Sequence, residues 1–286
     1  MAQHKTALYA RRFARNKLAL IGVVGFLILV FASIFGPYIS KWSYEEPDFL
    51  HLATAPSSEH WFGTSDSGND LFAQTIHGLG RSLIIAVTVS LGVSILSALI
   101  GCVAALLGGI AEKIILTFIH FMLAIPSFLI IALLVSGSGG DWKLLILVLI
   151  IFGWIYPARV IWSMALSVKQ NDYVKAAQYM GVNTPRIVIR HLIPNIGSLL
   201  IIQFALGVPA TVMTETGLSF LGLGVKLPDV SLGTLLTVGT GAVDASPWQF
   251  YFPALILTLL TISMAFIADS LRDALDPYSA AGGHVS

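Results

Sequence analysis

Charge is scarce in this chain: Asp, Glu, Lys and Arg make up 11% of its 286 residues, where a soluble domain carries roughly 25%. An ordinary soluble fold is thereby excluded, because too few polar side chains exist to cover the apolar ones. Cysteine is nearly absent. The single Cys102 rules out an internal disulfide and any cluster of thiolate metal ligands, and its place inside an apolar run makes it a small packing residue. His191 has no second His or Cys at ligand spacing, so the sequence names no metal ligand. The phosphate-cradling pattern G-x-x-x-x-G-K-[ST] is missing, and the chain is therefore expected neither to bind nor to hydrolyse ATP itself. No nucleophile with a nearby base is apparent, so no catalytic residue is named and a non-enzymatic role is expected. A formal net charge of +1 gives no electrostatic reason to bind nucleic acid.

What is abundant is apolar side chain, at 56% of residues with a mean hydropathy of +0.84. It is gathered in six runs, at 18–39, 83–107, 114–135, 144–168, 192–214 and 252–268. At about 1.5 Å rise per residue they reach roughly 25 to 38 Å as helices, against a hydrocarbon core of about 30 Å, and the shortest, 252–268, is extended toward the headgroups by the aromatic residues of 248–251. The expected class is an all-α polytopic integral membrane protein with about six transmembrane helices in the lipid bilayer. The first run is longer than the core of a signal peptide and no small-residue cleavage site precedes Trp42, so it reads as a retained span.

Orientation follows from the basic residues. Twelve of the 16 (Lys5, Arg11, Arg12, Arg15, Lys17, Lys113, Arg159, Lys169, Lys175, Arg186, Arg190 and Arg272) fall on one side of this arrangement, and Lys41, Arg81, Lys143 and Lys226 on the other. Positive-inside asymmetry then makes the N- and C-termini cytoplasmic. The expected organisation is a cytoplasmic segment at 1–17, a first span at 18–39, an extracytoplasmic loop at 40–82, a five-helix core at 83–275 and a cytoplasmic tail at 276–286.

Three polar stretches interrupt the runs. The outer one, 40–82, carries Glu45, Glu46, Asp48, Glu59, Asp66 and Asp70, and an ordered loop with short surface helices is expected. The stretch 215–249 holds Gly217, Gly222, Gly224, Gly233, Gly239 and Gly241, which suggests re-entrant or irregular backbone bordering a cavity. The inner stretch, 172–191, describes two short helices. Asp172 can cap the first, Ala176 and Ala177 favour it, and Gly181 can close it with positive φ. Thr184 can cap the second, with Pro185 at its first position. Such a knob between two spans can receive a push from another protein, or it can rest on lipid headgroups.

The order Ala176-Ala177, Gly181 and His191-Leu-Ile-Pro194-Asn195 resembles the "EAA" coupling motif of ABC-importer permease subunits, with Lys175 where that family usually has Glu. Further segments resemble the dipeptide and oligopeptide branch: Asn16-Lys17-Leu18, His60-Trp-Phe-Gly-Thr64 with Gly68-Asn-Asp-Leu-Phe72, Glu215-Thr-Gly-Leu-Ser-Phe220-Leu-Gly-Leu-Gly224, and Asp269-Ser-Leu-Arg272-Asp273-Ala-Leu-Asp276-Pro277. Asn69 stands where Arg is usual. The resemblance runs from about Arg12 to Tyr278 and is to the C-type member of a permease pair.

That resemblance implies a type I ABC-importer permease fold in a prokaryotic inner membrane. It implies a second homologous permease subunit, two cytoplasmic ATPase subunits carrying the ATP and Mg, and an extracytoplasmic binding protein that delivers dipeptides or oligopeptides. Lys175, Ala176, Ala177, Gly181, His191 and Pro194 are the coupling positions it assigns. A permease for nickel or a metal chelate is the alternative within the family, and a self-sufficient secondary transporter is the alternative outside it. His120, Gln203 and Glu215 are the candidates for the substrate pathway. For His120 a hydrogen bond between helices is the plainer reading, and for Glu215 pairing within the glycine-rich stretch. Pro126 and Pro209 are candidate kinks.

Overall fold

The computed structural model describes residues 11–137 and 139–275. The segment 276–286, read as a cytoplasmic tail, and most of 1–17 lie outside them. Among the described residues the regular structure is helical, with only two isolated bridges, Pro47 to Asn69 and Thr64 to Asp70.

Among the described residues four helices are long and apolar enough to cross a membrane: α1 (Lys17–Ile39), α2 (Leu71–Leu107), α9 (Gly197–Phe220) and α11 (Trp248–Leu275). Two further runs are bent pairs. Helix α3 (Gly109–Ala124) meets α4 (Ser127–Ser136) at 76°, and α5 (Trp142–Gly153) meets α6 (Ile155–Lys169) at 40°. Counting each pair as one span restores the six expected. The short helices are α7 (Asp172–Tyr179), α8 (Thr184–Ile187) and α10 (Leu232–Ala242).

The sharper break follows from Pro126. A proline disfavours the helical conformation of the residue before it, and Ile125 is extended at φ −95°, ψ 132°. The stretch 114–135 is therefore not one straight span. Pro209 lies inside α9, where the helix continues past it to Phe220.

The chain divides into two compact units, one made of 1–87, 138–145 and 205–286, the other of 88–137 and 146–204. In the first, α1 packs closely on α11 at Gly22, where a Cβ would lie 2.7 Å from the Ser263 carbonyl oxygen. Small residues allow such close approach where burial of apolar surface from water contributes nothing. The remaining faces of α1 leave Ile21, Val24, Ile28 and Phe31 exposed, as lipid-facing side chains would be. In the second unit, Cys102 is fully buried within an apolar cluster, in accord with its reading as a packing residue.

Two boundaries differ from expectation. Helix α2 starts at Leu71, twelve residues before the apolar run, because Asp70 caps it: its Oδ1 accepts the Ala73 N–H at 2.7 Å. The loop is therefore 40–70, and it is built from turns and bridges with no surface helix. The glycine-rich stretch contains a short helix, α10, capped by Ser231 through the Thr234 N–H at 3.1 Å.

Candidate functional site

The inner stretch takes the form expected, with its caps moved by one residue. Asn171 precedes α7, leaving Asp172 at the first helical position, and Asn183 caps α8 by accepting the Arg186 N–H. The end of α7 is a full Schellman closure. Gly181, at φ 75°, donates to the Gln178 carbonyl at 3.0 Å, and Val182 donates to Ala177 at 3.1 Å. Val182 then packs on the apolar cluster beneath.

A π turn, Val188–Leu192, follows α8 and carries Arg190 and His191. Pro194 has no N–H to continue an α-helical ladder, and the Ile193 N–H reaches back to Val188 instead. His191 is half-buried and its carbonyl accepts from Asn195 at 2.6 Å, while Pro194 is exposed.

The two alanines do different work. Ala177 is 4% exposed and sits with Val174 in a cluster that includes Cys102, Ile161, Ala165, Val188 and Leu192. Ala176 faces outward, among Tyr173, Tyr179 and Met180, the last two 90% and 76% exposed. Neighbouring helical residues point about 100° apart, so a slim face shared by both alanines does not form. Lys175 lies half-buried beside them. Lys169 ties the start of this stretch to α2 by donating to the Ala105 carbonyl at 2.7 Å.

Gln203, His120 and Glu215 each have surroundings of their own. Gln203 is half-buried and donates to Ser97 Oγ at 2.9 Å. His120 is exposed on α3. Glu215 is 1% exposed and accepts from Ser219 at 2.9 Å and Ser231 at 2.6 Å. Because Ser231 also caps α10, the carboxyl group joins two helices, and Gly233 must lack a side chain: its Cβ would lie 2.8 Å from Glu215 Oε2. These contacts are the internal pairing that was the plainer reading of Glu215.

Sequence reasoning missed a polar cluster around Asp229. Its Oδ1 lies 2.9 Å from His77 Nε2 and its Oδ2 lies 2.7 Å from an Arg81 guanidinium nitrogen. Arg81 also stacks over Trp142 at 4.2 Å, and Tyr44 stacks on His77 at 3.6 Å. The Tyr44 phenol is pushed up to about 12, by burial first and then by its hydrogen bond to Glu45. In the same loop the imidazole of His51 and the Leu50 N–H hold the Asp48 carboxyl below its usual range. The only sequence signal was the presence of ionisable residues near apolar runs, which says nothing of their partners.

Helices apolar and long enough to cross a membrane, with a short helical knob packed on an apolar cluster, define a multi-spanning membrane component. The chain belongs to the family of binding-protein-dependent transport system inner membrane components, which it matches over residues 97–278. Residues 6–56 match the N-terminal transmembrane domain of oligopeptide transport permease C.

Among known proteins it is similar to the oligopeptide transport system permease protein OppC of Mycobacterium tuberculosis. The two are 39% identical over 277 residues, covering 96% of this chain and 95% of that protein. The OppC protein of Bacillus subtilis is 34% identical, covering 93% and 87%. The dipeptide transport system permease protein DppC of the same organism is 33% identical, covering 93% and 84%.

Proposed function

We propose that this chain is one of two permease subunits of an ATP-driven importer of oligopeptides or dipeptides, with both termini in the cytoplasm. The second permease subunit supplies the other half of the pathway. An extracytoplasmic binding protein delivers the peptide, and two cytoplasmic ATPase subunits bind ATP and Mg. The peptide class is supported by the oligopeptide and dipeptide permeases to which the chain is similar over nearly its whole length.

The observation that carries the coupling role is the two-sidedness of α7. Its outer face presents Tyr173, Ala176, Tyr179 and Met180, and its inner face buries Val174 and Ala177 among side chains of α2 and α6. Apolar rings at such exposure suit a protein groove, and a close-packed inner face passes a displacement on to the helices instead of absorbing it. Gly181, His191 and Pro194 shape the exit from this knob, and Lys175 borders its contact face. ATP-driven closure of the ATPase pair would move the knob and turn the pathway from outward-facing to inward-facing. Gln203, His120 and Glu215 remain the candidates for residues along that pathway.

The test is uptake by vesicles holding the chain with its second permease, ATPase subunits and binding protein. Ala176→Arg should abolish ATP-driven uptake of a labelled oligopeptide while the complex stays in the membrane. Unchanged uptake would remove the docking assignment. Uptake of a nickel chelate in place of peptide would move the substrate to the metal branch, and uptake without ATPase subunits would overturn the proposal.

A further inference from the structure

Loop 40–70 holds a group of side chains that the transport reading does not use: Asp48, His51 and His60, whose ligand atoms all lie within 4.8 Å of one another. His60 is 1% exposed. Its Nδ1 lies 2.9 Å from Asp70 Oδ2, and Asp70, itself 2% exposed, is fixed by capping α2 through its other oxygen. With Asp70 ionised the proton of a neutral His60 belongs on Nδ1, so Nε2 presents a lone pair.

That Nε2 is buried and makes no hydrogen bond. It is aimed at Asp48 Oδ2, 3.5 Å away, and Asp48 is held in place from both sides: its N–H donates to the Gly68 carbonyl across the loop at 2.9 Å and its Oδ1 accepts the Leu50 N–H at 2.9 Å. Where Nε2 carries no proton, its lone pair and the carboxylate oxygen face each other across that gap and repel. A cation between them turns the repulsion into attraction.

We infer that Asp48, His51 and His60 form a binding site for one divalent transition-metal ion, with Asp70 orienting His60. The donor set, two imidazole nitrogens and one carboxylate oxygen, suits zinc and its first-row neighbours and not calcium or magnesium. Metal–ligand bonds of about 2.0 to 2.2 Å need donor atoms roughly 3.3 Å apart in a tetrahedron. Asp48 Oδ2 already lies 2.8 Å from His51 Nδ1 and 3.5 Å from His60 Nε2.

For the ion to bind Nδ1, the His51 proton now shared with Asp48 moves to Nε2, which leaves a neutral imidazole as the ligand. The His51 side chain is 41% exposed, which supplies both the way in and room for a water as fourth ligand. The carboxylate of Asp70 behind a metal-bound imidazole is the usual means of fixing ring orientation and tautomer. Bound there, the ion would fasten the early part of the loop to the end that caps α2.

The experiment uses the untagged full chain in its complex, stripped with a chelator, freed of it, and titrated with Zn²⁺. Bound zinc is counted by elemental mass spectrometry after gel filtration, and Co²⁺ is used in parallel for its visible absorption. One zinc per chain should be retained, unaffected by excess Ca²⁺ or Mg²⁺, and Co²⁺ should show the absorption of a four- or five-coordinate site. His51→Gln keeps a polar side chain at a half-exposed position and should weaken zinc binding by at least about tenfold, as should Asp48→Asn. No zinc on the wild-type chain, or equal retention by wild type and His51→Gln, overturns the site.

Discussion

The loop 40–70 and the stretch 171–196, which contains the expected knob at 172–191, both interrupt apolar helices, yet they are held by opposite means. The loop has no helix and is fastened by polar side chains: Asp70 to His60, Thr64 to the His51 carbonyl, and Gln249 to Asp66 at 2.7 Å. The inner stretch is short helices over an apolar cluster that fully buries Val174 and Leu192. Directional bonds fix a loop locally and leave its surface free to recognise a partner. A packed apolar face makes a segment one body with the helices below, which is what transmission of a displacement demands.

The comparison can be broken at single residues. The largest effect is expected from Ala177→Arg, which forces an unpaired charge into the apolar cluster at a cost of about 3 kcal/mol or more. Protease cleavage within 171–196 should become rapid while loop 40–70 stays protected. Its neighbour Ala176→Arg should change stability by less than about 0.5 kcal/mol. Equal damage from the two would mean that α7 is not two-sided.

Next comes Asp70→Ala, which removes a helix cap and the partner of a buried imidazole, together about 2 to 4 kcal/mol. Hydrogen exchange should speed up in 40–70 and at the start of α2, with 171–196 unchanged. Exchange altered in both stretches would show that they are not fastened independently.

A smaller effect, about 1 to 2 kcal/mol, is expected from Gly181→Val, because a β-branched residue resists the left-handed conformation. Nothing lies within 4 Å of the position a Cβ would take, so the cost is conformational and not steric. Gly181→Asn should therefore recover most of it, which a thermal melt can read.

The smallest effect belongs to Tyr44. Its phenol is raised from 10.0 to about 12, so its contribution to stability is complete below pH 10 and is lost as pH rises through about 12. Subtracting the alkaline absorbance titration of Tyr44→Phe from that of the wild type should isolate one phenol ionising late. If the difference curve has its midpoint near 10, burial and the bond to Glu45 do not hold the phenol protonated.

Parts of the inner stretch were legible because the signals are local. Gly181 reads as a positive-φ closure, and the Ala pair reads as helix. The caps shifted by one because Asn171 and Asn183 stand ahead of Asp172 and Thr184, and of the two only the Asn183 side chain accepts a helix N–H. Pro126 was legible as a kink, though not the 76° bend it allows. The helical start at Leu71 was missed because an apolar run marks where lipid begins, not where a helix does.

Written in the sequence by itself were the all-α class, the apolar runs and the place of the knob. Backbone groups in a bilayer must bond within their own helix, so long apolar runs have one regular solution. Only the tertiary structure decided which alanine is buried, that His77 meets Asp229 across 152 residues, and that Asp48 and His60 face each other with no hydrogen bond between them. Those outcomes depend on which faces come into contact, and a face is assigned by packing between segments far apart in the chain, not by the residues beside it.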